Sequence, residues 1–196
     1  MEDVLLFGGT FDPPHLGHFS IANEVMEKLN IKRVILLPVG NPPHKALQNV
    51  SEAKHRLNML KLAVEGQKGF EVSDIEIKRK GYTYTIDTLR ELSREGKYRL
   101  FYLIGADTLE NISKWKNYKE LFNMCEFVVV PRKGYTKERL ENMILQNKYN
   151  ARVIDINCVD ISSTDIRKLI KNDGNVGDLI FQKVEEYIKD NNLYRK

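Results

Sequence analysis

Short apolar runs alternate with helical patterns along the 196-residue chain, and this alternation constrains the fold more than any other feature. Each run has four to eight residues, is rich in Val, Ile, Leu or aromatic residues, and ends near Gly, Pro or Asp. Six runs are predicted to be strands: Val4–Phe7, Arg33–Leu37, Phe70–Ile77, Arg99–Ile104, Glu126–Val130 and Ala151–Ile156. Several are apolar almost throughout, as in strands that are buried on both faces of a parallel sheet.

Helical patterns occupy the segments between these runs. Apolar residues recur at three- and four-residue steps in 19–29, 57–64, 86–92 and 166–170, and Asp178–Lys196 is predicted to be a closing helix. We therefore expect an α/β fold of the Rossmann-like, doubly wound type, with a mainly parallel sheet and helices on both faces.

The chain shows no internal repeat and no linker, so we expect residues 1–196 to form a single domain. Residues 106–123 are the least periodic stretch and are predicted to be a short helical insertion. A C-terminal helical region is expected from about residue 162. Association into a homo-oligomer stays open at this stage.

Composition and charge disfavour several classes of protein. Hydrophobic residues make up 42% and charged residues 30% of the chain, which is ordinary globular usage and argues against disorder or a coiled coil. No apolar run approaches the roughly 20 residues that a membrane helix needs. The acidic start, whose apolar run stops at Gly8, argues against a signal peptide. A net charge of +4 suits a small polyanionic substrate but is too low to favour nucleic acid.

The chain has two cysteines, Cys125 and Cys158, which lie in or beside apolar runs without a second ligand at metal spacing. We interpret them as reduced core residues rather than as a disulfide or a zinc pair. Together with the start of the chain, they predict a cytoplasmic protein.

The first predicted strand is followed by a glycine-rich turn and two histidines. This segment reads Gly8-Gly9-Thr10-Phe11-Asp12-Pro13-Pro14-His15-Leu16-Gly17-His18. Glycine lets the backbone approach a ligand closely, and the start of the following helix attracts phosphate through its free N–H groups and dipole. Because His15 and His18 are three residues apart, they share one face of the first turn and can both donate to phosphate oxygens. Capping of the helix is the simpler alternative for both rings.

A second candidate anion site follows the sixth predicted strand, in Ile161–Arg167. Ser162 or Ser163 is a good N-cap, and Ser162 with Asp165 has the spacing of a capping box. The same helix start also presents hydroxyl groups, free amides and Arg167. Since ligands bind outside the carboxyl ends of the strands in open α/β sheets, we expect this site to face the first one.

Four further segments carry candidate binding residues. Lys45 follows the prolines after the second strand, as a point charge on a stiff loop. Gly105 and Asp107 follow the fourth strand, where Asp107 can hold a ribose hydroxyl, hold a base amine or cap a helix. Trp115 and Tyr118 lie in the insertion, where Trp115 can stack on a flat ring or simply pack. Thr85 begins a helical pattern whose N-terminus suits a carboxylate or a plain cap.

Taken together, these motifs resemble those of bacterial nicotinate-nucleotide adenylyltransferases, from residue 4 to about residue 195. The His-x-Gly-His pattern at 15–18 and the Ser-x-Thr-x-x-Arg pattern at 162–167 are shared with the wider nucleotidyltransferase superfamily. The Tyr-Thr-x-Asp-Thr-Leu pattern at 84–89 and the Trp115 region argue for this member. Class I tRNA synthetases carry a related His-x-Gly-His signature but are much longer.

The resemblance implies transfer of AMP from ATP to nicotinate mononucleotide, which gives nicotinate adenine dinucleotide and pyrophosphate in NAD biosynthesis. It implies catalytic roles for His18, His15 and Arg167. The residues implied to bind ATP are Gly8, Gly9, Thr10, Phe11, His15, His18, Gly105, Asp107, Ser162, Ser163, Thr164 and Arg167. Those implied to bind the mononucleotide are Thr10, Asp12, Lys45, Thr85, Trp115 and Tyr118. Mg²⁺ is expected mainly on ATP phosphates and water, with Asp12 reaching it through water, and no metal site of the protein's own is expected.

Three alternatives stay open. A nicotinamide-preferring enzyme would differ only by the charge of the substrate ring. Phosphopantetheine adenylyltransferase shares the first and last motifs but matches poorly at Gly81–Leu89 and at Trp115. A non-catalytic nucleotide sensor could keep the fold, although it has less need for two histidines beside the α-phosphate.

Overall fold

Six parallel strands form one sheet in a computed structural model that describes residues 1–42, 50–94, 96–157 and 161–195. The strands are β1 Glu2–Gly9, β2 Arg33–Pro38, β3 Phe70–Val72, β4 Tyr98–Gly105, β5 Glu126–Val130 and β6 Ala151–Val153. Their order is β3-β2-β1-β4-β5-β6, and every neighbouring pair is parallel. This is the doubly wound order, with its switch point between β1 and β4, and it confirms the predicted fold class.

Helices flank the sheet throughout the described residues. They are α1 Leu16–Leu29, α2 Ala53–Val64, α3 Ile75–Lys78, α4 Thr85–Ser93, α5 Ala106–Glu110, α6 Tyr118–Met124, α7 Lys137–Asn147, α8 Ser163–Lys171 and α9 Gln182–Asp190. A 3-10 turn at Ile112–Lys114 separates α5 from α6. The predicted insertion therefore consists of two short helices and this turn.

The alternation of side chains along β1 separates two hydrophobic clusters. Leu5 is buried on the face that is covered by α1, α2, α8 and α9. Val4 and Leu6 are buried on the other face, under α4, α6 and α7. Because both faces are covered, the central strands are apolar almost without interruption, as the sequence indicates.

Two predicted strands are shorter than their apolar runs. The run at 70–77 is strand only over Phe70–Val72, because the chain turns at Ser73 and Asp74 and forms α3. β3 is an edge strand with three paired residues, so little sheet pairing opposes this turn. The run at 151–156 likewise leaves the sheet after Val153, on the opposite edge.

Helix α7 is missing from the sequence-based prediction. It buries Leu140 and Ile144, four residues apart, while most of its other positions are polar. Such a narrow apolar stripe is a weak periodic signal. Cys125 is a buried free thiol, as predicted, whereas Cys158 lies outside the described residues.

Candidate functional site

The carboxyl ends of β1 and β4 lie side by side where the strand order reverses, and the candidate residues surround this point. The glycine-rich turn follows β1, Gly105 ends β4, and Arg132 comes two residues after β5. In open α/β sheets, a ligand binds in the crevice at such a switch point.

The two glycines at the end of β1 are required by close neighbours. A Cβ on Gly8 would lie 2.3 Å from the hydroxyl oxygen of Tyr102, which is buried on β4. A Cβ on Gly9 would lie 3.0 Å from the Phe11 ring. Phe11 itself is buried and has a positive φ of 51°. The Phe11 ring contacts the His18 ring, with centroids 4.9 Å apart. Because that ring is already packed within the protein, a ligand can approach the backbone of this turn but not the Phe11 ring.

The rings of His15 and His18 stack face to face, with centroids 3.6 Å apart. The backbone N–H of His15 donates to Nδ1 of His18 at 3.2 Å. Because Nδ1 is an acceptor, the neutral His18 ring carries its proton on Nε2, which makes Nε2–H the donor toward a ligand. Gly17 permits this arrangement, since a Cβ there would lie 3.0 Å from Nδ1 of His15 and 3.3 Å from Cβ of Ile161.

Burial keeps both histidines neutral. It lowers the pKa of His15 to about 4, with a smaller contribution from the positive charge of Arg132. Burial also lowers the pKa of His18 well below its usual value, with further contributions from His15 and Arg132. At pH 7 the pair therefore offers hydrogen-bond donors without positive charge.

The start of α8 is fastened to the turn after β1. The hydroxyl of Ser163 donates to the carbonyl of Pro13 at 2.9 Å, and Nη1 of Arg167 donates to the carbonyl of Asp12 at 2.7 Å. These contacts bring the two predicted anion sites together. The predicted N-cap role of Ser162 is confirmed, because its Oγ accepts from the amide of Asp165 at 3.1 Å, and the same hydroxyl donates to the Asp165 carboxylate at 2.7 Å.

Arg167 keeps its charge available. Its hydrogen bonds within the described part of the chain go to the carbonyl of Asp12 and to the hydroxyl of Thr164, at 2.7 and 3.3 Å. Neither partner is a carboxylate. By contrast, Arg33 and Arg90 lie against glutamates, at 2.8 Å in both cases. An arginine that is oriented by neutral groups can still bind an anion with its full charge.

Arg132 is a charged residue of the site that the sequence analysis missed. Its Nε lies 3.5 Å from a carboxylate oxygen of Asp107, and both side chains are more than half exposed. A Cβ on Gly105 would lie 2.6 Å from Asp107 and 2.9 Å from Arg132, so Gly105 leaves room for this pair. Arg132 comes two residues after the end of a predicted strand. The expectation that ligands bind just after the strands, which selects Gly105 and Asp107, could therefore have identified it as well.

Thr85 and Trp115 are brought together by Tyr102. Thr85 begins α4, and its side chain lies near enough to the Tyr102 hydroxyl to oppose the rise in the pKa of that group, which burial causes. The Trp115 ring meets the Tyr102 ring edge to face, with centroids 6.2 Å apart. Tyr102 thus contacts Gly8, Thr85 and Trp115, and it is a second residue that the sequence analysis did not select.

The segment 115–118 lies against the start of α4. The Lys116 ammonium is 3.5 Å from Asp87 and 4.2 Å from the centroid of the Tyr84 ring. Tyr118 begins α6, and its amide donates to the carbonyl of Trp115 at 3.2 Å. Lys45 lies outside the described residues.

Asp12 is buried, with 1% of its surface exposed. One carboxylate oxygen accepts from the Tyr194 hydroxyl at 2.6 Å and the other from the Ser51 amide at 3.1 Å. Its carboxylate is therefore held by protein donors, whereas its carbonyl holds Arg167.

Neither a metal-binding cluster nor a membrane-spanning helix is present among the described residues. No group of three or more His, Cys, Asp or Glu side chains there is placed to hold a metal ion. In the same residues, no helix has the length and apolar character that crossing a membrane requires.

Comparisons with known proteins agree with this geometry. The cytidylyltransferase-like family model matches residues 6–169. A Clostridium novyi protein named "Probable nicotinate-nucleotide adenylyltransferase" is 42% identical over 200 residues, which cover 100% of both chains. A Clostridium acetobutylicum protein of the same name is 39% identical over 199 residues, which cover 99% of this chain and 100% of the relative.

A solved structure of similar fold is the Plasmodium falciparum nicotinic acid mononucleotide adenylyltransferase complexed with NaAD. It superposes with a TM-score of 0.80 over 99% of this chain and 98% of that chain, at 21% sequence identity. At this identity, the likeness supports the fold.

We expect both stacked histidines to stay neutral well below pH 7. In ¹⁵N-labelled protein, the His18 ring should carry its proton on Nε2 and leave Nδ1 unprotonated, because Nδ1 accepts the His15 amide. Neither ring should gain a proton between pH 8 and about pH 5. A variant lacking His44 and His55 leaves two ring systems to assign. A titration midpoint near the ordinary value in either ring would contradict this reading.

Proposed function

The chain belongs to the cytidylyltransferase-like family, and we propose that it is a nicotinate-nucleotide adenylyltransferase. It transfers the adenylyl group of ATP to nicotinate mononucleotide and releases pyrophosphate, a step of NAD biosynthesis. The observation that carries the proposal is the contact between the His15–His18 turn and the start of α8, which joins two anion-binding segments at the switch point. Full-length relatives of the same name support it.

The reaction needs positioning more than it needs a strong base. A 5′-phosphate oxygen of the mononucleotide, already ionised near pH 7, attacks the α-phosphorus of ATP. A new oxygen–phosphorus bond forms while the bond to the bridging oxygen of pyrophosphate breaks. Catalysis of this kind rests on alignment and on donors that are preorganised for the developing charge.

His18 donates Nε2–H to the α-phosphate as charge builds there, and His15 holds the neighbouring phosphates. Their neutrality suits this role, because the site then binds phosphate through directed hydrogen bonds and leaves positive charge to arginine. Arg167, with Ser163, Thr164 and the first-turn amides of α8, holds the β- and γ-phosphates and neutralises the leaving pyrophosphate. Support comes from the contact of Arg167 with neutral groups.

The nucleoside of ATP lies toward β4 and β5 in this proposal. The backbone of Gly8, Gly9, Thr10 and Phe11 approaches the nucleotide, together with Gly105. Asp107 binds a ribose hydroxyl or the adenine amine. Arg132, 3.5 Å from Asp107, adds positive charge on the β5 side of the two histidines.

Nicotinate mononucleotide lies at the start of α4. Its ring stacks on Trp115 beside Tyr118, and its carboxylate binds at Thr85, where the helix dipole and free amides favour an anion. Thr10, Asp12 and Lys45 complete the predicted binding set. The bridge through Tyr102 supports a common pocket for Thr85 and Trp115.

Mg²⁺ enters as part of the ATP substrate, mainly on phosphate and water oxygens. Both carboxylate oxygens of Asp12 accept protein hydrogen bonds, which fits an ion carried in by the nucleotide better than one held by this residue. The ion offsets phosphate charge.

We also propose that residues 1–196 act as a single domain in the cytoplasm, where ATP is abundant.

The proposal is tested by pyrophosphate release from MgATP with nicotinate mononucleotide, nicotinamide mononucleotide or phosphopantetheine as the second substrate. We expect clear preference for the nicotinate substrate, because the start of α4 favours a carboxylate. Turnover with the amide alone would keep the mechanism and remove the role of Thr85. Turnover with phosphopantetheine alone would move the chain to that activity, and ATP binding without turnover would indicate a sensor.

Replacing His18 by Ala should lower kcat roughly 10²–10³-fold, the usual loss when one preorganised donor to the transition state is removed. His55→Ala is the matched control, since His55 lies on α2 and its ring contacts Tyr187 at 2.9 Å. Steady-state kinetics at saturating substrates and an unfolding curve for each variant measure this. A folded His18→Ala enzyme with nearly full kcat would refute the role.

Replacing Trp115 by Ala should raise KM for the mononucleotide more than KM for ATP, because the stacked ring belongs to the mononucleotide. Trp115→Phe keeps a flat ring beside Tyr102 and should retain most of the affinity. Both KM values are measured for each variant. Equal increases in the two KM values would assign Trp115 to packing alone.

A further inference from the structure

We propose that Tyr194 is a positioning residue for the triphosphate side of the site, acting through Asp12. The proposal rests on the proposed function for its kinetic test but has an independent readout in ATP binding. Tyr194 follows α9, far along the chain from the phosphate-binding turn, and none of the sequence motifs includes it.

Asp12 links Tyr194 to Arg167 within a single residue. Its side chain accepts from the Tyr194 hydroxyl at 2.6 Å, while its main-chain carbonyl accepts from Nη1 of Arg167 at 2.7 Å. The carboxylate and the carbonyl belong to the same residue, so the hydrogen bonds that hold the buried carboxylate also anchor the part of the turn whose carbonyl orients Arg167. The position of the arginine therefore depends on what holds the Asp12 carboxylate.

A buried arginine fixes the surroundings of Asp12. Arg56 is 1% exposed, and it donates to the carbonyl of Thr10 at 3.0 Å and to the carbonyl of Ser51 at 3.1 Å. The amide of Ser51 in turn donates to the second carboxylate oxygen of Asp12 at 3.1 Å. Arg56 thus holds the carbonyls of Thr10 and Ser51, and the Tyr194 hydroxyl is the donor to the remaining carboxylate oxygen.

The Tyr194 hydroxyl stays protonated while it performs this task. Burial and the negative charge of Asp12 raise its pKa, so it remains a donor across the physiological range. Without the hydroxyl, one oxygen of a buried carboxylate loses its donor, and such an oxygen is expected to turn toward the nearest positive group or toward water. Either change would loosen the anchor of the turn whose carbonyl accepts from Arg167.

The test compares Tyr194→Phe with Tyr187→Phe. The two substitutions remove the same atom in the same part of the chain, but the Tyr187 hydroxyl contacts His55 at 2.9 Å and Asn58 at 3.1 Å, both on α2. Calorimetry gives the Kd for ATP and for pyrophosphate without a second substrate. Steady-state kinetics gives kcat and both KM values, and thermal unfolding shows that each variant is folded.

We expect Tyr194→Phe to raise the Kd and KM for ATP about tenfold, the equivalent of one hydrogen bond to a charged group, and to raise KM for the mononucleotide by a smaller factor. Tyr187→Phe should change neither affinity. Equal changes in the two KM values, or a lower Tm with unchanged ATP binding, would reduce Tyr194 to a structural residue and overturn the proposal.

A double-mutant comparison tests the route through Asp12. Asp12→Asn should weaken ATP binding by itself, and adding Tyr194→Phe should weaken it little further, because the second change acts through the first residue. Full additivity would overturn the route. If the wild-type protein binds ATP but releases no pyrophosphate with any second substrate, the proposed function fails while the ATP-binding comparison still decides the role of Tyr194.

Discussion

The contact between the start of α8 and the turn after β1 is the interaction on which the candidate site depends. Ser163 and Arg167 both donate to backbone carbonyls of that turn, at Pro13 and Asp12. Carbonyls orient the arginine without neutralising it, so its charge is left for a polyanion. A carboxylate in the same place would hold the side chain more strongly and leave less for the ligand. In the proposed site, neutral partners within the protein thus orient Arg167 and leave its charge available to a phosphate.

The stacked histidines have a cost in stability that follows from their position. Their folded pKa values lie below the ordinary value near 6.5, so the unfolded chain binds protons that the folded chain does not. Stability is then full above that value and falls as pH drops from about 6.5 toward about 4. Nδ1 of His15 adds to the cost, since it is buried and has no hydrogen-bond partner within the described residues.

Much of the fold and part of the site could be predicted from the sequence, because both depend on local patterns. Apolar runs identify the strands, and residues just after the strands identify the turn at 8–18 and the start of α8. The pattern of apolar residues does not show which segments lie next to each other in the fold. The run at 70–77 looks like a strand throughout, but an edge position with three paired residues lets the chain turn into α3. Helix α7 is difficult to predict because it buries Leu140 and Ile144 among mostly polar residues, which gives only a weak periodic signal.

The residues that the sequence analysis missed act through contacts between distant segments. In the sequence, Tyr102 resembles an ordinary apolar strand residue. In the structure, its hydroxyl occupies the space that a side chain at Gly8 would need. Tyr194 looks like the end of an amphipathic helix, yet it holds the carboxylate of Asp12. Arg132 lies just after a predicted strand, where ligand-binding residues are expected, but no recognisable motif surrounds it. Periodicity cannot find such residues, since their partners are set by topology.

The distance along the chain between the two halves of the phosphate site also bears on how the protein is made. Pro13 and Ser163, which join the halves, are 150 residues apart in sequence. At a synthesis rate of about 5–20 residues per second, the second half follows the first by roughly 8–30 seconds on the ribosome. During that interval the glycine turn exists without its arginine. A ligand that needs both segments would therefore bind only after α8 has been made, and its binding free energy would add to the last stage of folding rather than to the first.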